Sequence, residues 1–191
     1  MRQITKLTLL TVSMLLGMAA HAQNILADIS KYNLTKIEHQ AIRKTRKLLK
    51  TDKKRNLSVF TFYPVYISGS FSQESCTVDD FFNSLKLWNK YNCYVYDDSL
   101  NIVAMKMDNR VFHYSNTTSD NMYIKYIKEL NPEYVFDYIT SLMRCPMYFC
   151  YRDGEIIIVH LSDDDKDIIS YPLSELKDWE WLNTGNELSD K

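Results

Sequence analysis

Along this chain the spacing of apolar positions switches repeatedly between a helical period and a strand period, and the switches mark the elements. From Ile25 to Arg55 the pattern is helical, with Leu34, Ile37, Ala41 and Leu48 on one face and a break near Asn33. The second helix is expected to start at Thr35, whose capping partner three residues on is Glu38. Leu57 to Ile67 then alternates, with Phe60, Phe62 and Tyr66 on one side and Val59, Thr61 and Val65 on the other. Two largely apolar faces predict a central strand. Pro64 lacks a ladder donor, so an edge position or a bulge is expected there.

Residues 77–92 read as a helix, because Thr77 and Asp80 resemble a capping box and Phe81, Phe82, Leu85 and Trp88 recur at helical spacing. Three short strands are expected at 93–97, 100–107 and 110–115, separated by Asp97-Asp98-Ser99 and Asp108-Asn109, and links that short make neighbours antiparallel. Two helices follow. Asp120 is expected to cap 122–130, and Asn131 to cap a helix with Pro132 at its first position and a stripe of Tyr134, Val135, Tyr138, Ile139 and Leu142. Asp153-Gly154 joins two apolar runs, 147–152 and 155–161, as a hairpin. An acidic loop leads to a last helix at 172–182 carrying Leu173, Leu176, Trp179 and Leu182, and 183–191 is expected to be a flexible tail.

Helices and hairpins in mixed order, without regular βαβ alternation, argue for an α+β fold: an antiparallel or mixed sheet with several packing helices. There is no internal repeat and no linker rich in Pro, Gly or Ser, so 23–182 reads as a single domain.

The first 22 residues follow a different logic. Arg2 and Lys6 precede an apolar run from Leu7 to Ala20 that ends in Ala20-His21-Ala22, the pattern of a cleaved signal peptide with its cut between Ala22 and Gln23. The run is about 14 residues where a span needs roughly 20, and no later stretch approaches that length without a charge. The expected destination is therefore periplasmic or extracellular, with no transmembrane span once the leader is gone. Arg2 and Lys6 are the only charged residues of the leader, so its removal shifts the net charge from −1 to minus three. Such a balance does not favour nucleic acid as a partner.

An oxidising compartment changes the reading of Cys76, Cys93, Cys145 and Cys150, whose even count permits two disulfides. A helix over 77–92 would hold Cys76 and Cys93 roughly 20 Å apart at about 1.5 Å per residue, beyond the 7 Å or so that a bridge allows. Bridges are expected instead between distant segments, Cys93 with Cys150 or Cys145.

The remaining chemistry is mostly exclusion. Gly69, Gly154 and Gly185, the glycines beyond the leader, are too far apart for a dinucleotide fingerprint or a P-loop. There is no nucleophile elbow around Ser68-Gly69-Ser70, no H-E-x-x-H, and no C-x-x-C pair. Asp163, Asp165 and Asp167 open with the rhythm of a calcium loop, but Ile168 stands where the turn glycine belongs and Ser174 where the bidentate Glu belongs. The sequence thus points to no metal and no cofactor. The basic run from Arg43 to Arg55 reads as a solvated helix face.

Two functional classes remain. The first is a non-enzymatic binding or interaction protein, its partner an envelope protein or a glycan, with Tyr94, Tyr96, Tyr114, Tyr148 and Tyr151 as candidate contacts if their rings share an exposed face. The second is a cofactor-free hydrolase or transferase using Cys93 as nucleophile with His113 or His160 as base and Asp97 or Asp163 as orienter. The sequence leans toward the first.

Overall fold

An 11-residue strand, β1 (Leu57–Ile67), organises the molecule as its sequence pattern predicts. The computed structural model describes residues 25–50, 55–68, 77–107, 109–114, 118–139, 147–162 and 167–175. Residues 1–24, Cys76, Cys145, Asp163 and residues 176–191 lie outside the described residues. Helices α1 (Ile25–Ser30) and α2 (Leu34–Leu49) precede β1. After it come α3 (Val78–Ser84), β2 (Leu85–Leu87), β3 (Asn92–Asp97), β4 (Ile102–Met107), β5 (Arg110–His113), α4 (Thr118–Leu130) and β6 (Tyr134–Tyr138). The chain continues through β7 (Met147–Arg152), β8 (Glu155–Leu161) and β9 (Ile168–Pro172), and a short 3-10 turn at Leu173–Glu175. No helix among the described residues is long and apolar enough to cross a membrane.

The nine strands among the described residues form one sheet in the order β5-β4-β3-β1-β6-β7-β8-β9, with β2 also paired to β1. The β1–β6 pair is parallel, and the other pairings are antiparallel. The α+β architecture with a mixed sheet is therefore as expected. Because strand side chains alternate between faces, two separate cores follow. On one face α4 places Tyr123, Ile124 and Ile127 against Phe62, Val135, Tyr148, Cys150 and Val159. On the other, α1 and α3 bring Ile25, Ile29, Phe81 and Phe82 onto Tyr63, Val65, Phe136, Phe149 and Ile158, while Ala41 of α2 packs with Leu57, Val95 and Ala104.

Several local signals act as read. Thr77 and Asp80 form a complete capping box. Asp153 (φ 52°) and Gly154 (φ 84°) both adopt the left-handed conformation that a tight two-residue hairpin turn demands. Pro64, expected at an edge or bulge, sits inside a central strand. Its missing donor falls where β1 changes neighbours, since pairing with β3 ends at Phe62 and pairing with β2 begins at Val65.

Other expectations are overturned. The helix foreseen at 77–92 stops at Ser84, and Leu85–Leu87 pairs with β1 instead, leaving Trp88 about half exposed with its N–H donated to Pro64 O. The helix foreseen after Asn131 is the strand β6. Asn131 is not a cap at a helix start but the left-handed residue (φ 53°) ending α4, its N–H bonded to Ile127 O. In Tyr134–Tyr138 the aromatic and β-branched content wins over the Asn-Pro start signal. Asp120 lies inside α4, which starts two residues before it. Asn33, not Thr35, caps α2, accepting from Lys36 N. Thr45 is buried where Leu48 was expected, and Leu48 is exposed. Pro172 ends strand β9 and Leu173–Glu175 form a 3-10 turn, while the rest of the helix foreseen at 172–182 lies outside the described residues.

Candidate functional site

The residues singled out from sequence do not converge. Cys93 faces α2 from β3, fully buried, its Sγ 3.6 Å from Thr61 Oγ1. Burial pushes its thiol above the ordinary value, although the Thr61 hydroxyl and the Lys106 ammonium pull the other way. Along the register Cys93 is level with Lys106 and Val111, so His113 on the edge strand β5 is two strands across and two residues along, about 12 Å away. His160 on β8 lies four strand spacings across and four residues along, about 23 Å away, with Nδ1 2.7 Å from Leu161 O and its ring against Tyr171. Neither imidazole is within the roughly 3 Å reach a general base needs. Asp97 is engaged by Arg55 and by the Ser99 and Asn101 amides, which hold its carboxyl below the usual range despite its partial burial.

The Cys93–Cys150 bridge is excluded by topology. Cys93 points to the α2 face, while Cys150, level with Val135, points to the α4 face, and three strand spacings separate them, about 14 Å. Both thiols are free and buried, and burial pushes that of Cys150 up to about 12. Cys76 and Cys145 lie outside the described residues.

The tyrosines also disperse. Tyr94, Tyr96 and Tyr148 are buried, Tyr114 and Tyr151 half-buried. Tyr94 stacks toward Phe62 and Tyr114 on the α4 face, and Tyr151 packs on Phe82 and Tyr134 on the opposite face. They do not present a common exposed surface.

What the fold assembles instead is a crevice of about 410 Å³ beside β1. Its floor is Val59, Phe60, Thr61 and Tyr63 of β1, with Tyr96 of β3. Leu34 and Glu38 of α2 wall it on one face of the sheet, and Ile127 and Lys128 of α4 on the other. The rim is the segment 131–135, held by the Asn131 turn, by Arg152 Nη1 donating to Leu130 O at 3.0 Å, and by Glu133 N donating to Tyr151 O at 2.9 Å. Lys128 places its ammonium 4.7 Å from the centre of the Tyr96 ring, a cation–π contact.

The polar group that stands out is the Tyr63 hydroxyl. Tyr63 is 2 % exposed, and its Oη has no hydrogen-bond partner among the described residues. Burial is the main cause that raises its pKa, reinforced by Tyr134, Cys93, Tyr32 and Glu38 within electrostatic reach. A buried hydroxyl left unsatisfied costs about 1–3 kcal/mol, and natural structures carry few such groups. A second hollow, about 540 Å³, follows Asn33, Lys36, His39 and Arg43, and the described residues lining it belong to one helix and its cap.

Compared with known families, with curated proteins and with solved structures, the chain matches none.

Sequence reasoning singled out Tyr96 of this crevice as a candidate contact and did not join it to Tyr63, Glu38, Lys128, Glu133 and Tyr134. They lie on β1, α2, α4 and β6, with Glu133 just before β6, so no spacing in the sequence signals their convergence.

Proposed function

We propose that this chain is an exported, non-enzymatic binding protein whose ligand occupies the crevice beside β1. The observation that carries the reading is an open crevice of ligand size lined in part by Tyr63, a residue whose buried hydroxyl has no hydrogen-bond partner among the described residues. A bound acceptor or donor there would recover the hydrogen bond that the protein alone forgoes. The rim is braced by the Arg152 and Glu133 bonds before any ligand arrives, which lowers the entropy cost of binding. Export rests on Arg2, Lys6 and the apolar run closing at Ala20-His21-Ala22.

The test is two-dimensional NMR of the 15N-labelled chain against monosaccharides, free amino acids and short capped peptides. Binders are expected to move the amide signals of Val59, Phe60, Thr61 and Tyr134 together. Tyr63→Phe is expected to weaken those binders at least about fivefold, near 1 kcal/mol, with no loss of Tm. Shifts confined to other surfaces, or none at all, would overturn the reading. Amino-terminal sequencing of secreted material starting at Gln23 would support the export half.

A further inference from the structure

Resting on that reading of the crevice, we propose that its occupant is an extended peptide segment of a protein partner, added as a strand along the free edge of β1. On one side β1 is paired through most of its length, by β3 over residues 57–62 and by β2 over 65–67. On the other side β6 pairs only with Tyr63, Pro64 and Val65. Six residues, roughly 20 Å of strand at about 3.3 Å each, therefore have no strand on that side among the described residues, in the middle of the sheet. Tyr134 and Val135 remain paired to β7 while diverging from β1, so the crevice opens as a wedge between two strands that run parallel.

The walls show that this wedge lies in the plane of the sheet. Glu38 comes from the helix on one face and Lys128 from the helix on the other. A crevice flanked this way occupies the position of a missing strand and not a groove on a face. Successive strand residues turn their N–H and C=O to alternate sides, so about half of the main-chain groups over 57–62 are directed at the crevice. An open edge of that kind is a template for another strand.

Side-chain chemistry narrows the peptide. Glu38 and Glu133 border the crevice, and the cation that also borders it, Lys128, is engaged with the Tyr96 ring. The wall thus complements a basic side chain on the incoming segment, and Tyr63 supplies a hydroxyl to it or to its backbone.

The experiment uses the full 15N-labelled chain and a pool of capped heptapeptides with a central lysine and flanks drawn from Val, Thr and Ser. The expected result is slowed hydrogen exchange and shifted signals at amides within 59–62. Methylating alternate backbone nitrogens of the peptides should weaken binding at least about tenfold, and replacing lysine by glutamate at least about fivefold. Equal binding by the methylated pool, or no β1 response to peptides while monosaccharides or butylamine still shift the crevice, would overturn the strand proposal and leave the crevice reading standing. Silence of the crevice toward every probe would overturn both.

Discussion

Tyr123 and Tyr63 are buried almost equally, at 1 % and 2 % exposure, on opposite faces of the same sheet, and only one hydroxyl is explained by the fold. Tyr123 Oη accepts the Leu161 N–H at 2.8 Å, tying α4 to β8. Tyr63 Oη meets no partner among the described residues. The first is a structural tyrosine whose polarity is spent inside the protein. The second keeps its polarity in reserve beside a crevice, and a stable fold tolerates that only at modest cost. The contrast separates the α4 face, where packing is self-sufficient at this point, from the region around β1, where it is not.

The comparison breaks most directly at Tyr123. Tyr123→Phe strands a buried main-chain N–H, and chemical denaturation should show a loss of about 1–3 kcal/mol. If the loss is negligible, the Leu161 bond is not what holds that tyrosine. A polar group on the better-satisfied face sharpens the contrast next. Asp137, level with Pro64 and Tyr148, is partly buried, and desolvation pushes its carboxyl up to about 7. The folded protein then holds a proton that the unfolded chain has lost, so stability should fall as pH rises from about 4 to about 7 and level off above. Asp137→Asn should flatten that slope and raise stability at pH 8 by about 2 kcal/mol, discounted for partial exposure. Identical pH profiles for both proteins would refute the assignment. On the Tyr63 side, Thr77→Ala removes the capping box of α3, whose Phe81 and Phe82 pack into the same core, at a cost of about 1 kcal/mol in thermal unfolding. The smallest effect is the most telling: Tyr63→Phe should leave stability unchanged or raise it by up to about 1 kcal/mol. A clear loss would mean that its hydroxyl is partnered after all.

Local codes in the sequence were legible where a short motif has one geometric solution. Asp153-Gly154 fixes a hairpin because both residues must take positive φ, and Thr77 with Asp80 fixes a helix start because each satisfies the other's backbone. They failed where two readings share a pattern. Tyr134-Val135-Phe136-Asp137-Tyr138 fits a helical stripe as well as a strand, and the choice fell to a vacant place between β1 and β7. The same ambiguity hid β2, whose Leu85 continues the helical spacing of Phe81 and Phe82 while Leu85 and Leu87 pair with Ile67 and Val65. The Cys93–Cys150 pairing failed for a related reason: an even cysteine count permits a bridge, but only the strand register decides that these two side chains face opposite ways.

The sequence by itself settled that β1 is apolar on both faces, that tight turns join antiparallel pairs such as β3–β4 and β7–β8, and that the fold mixes helices with a sheet, because periodicity and turn chemistry act over a few residues. Tertiary structure alone decided that β6 would run parallel to β1 for only three residues before diverging. That divergence depends on contacts among segments distant in the chain, and it is what gathers Glu38, Thr61, Tyr63, Lys128 and Tyr134 around one crevice.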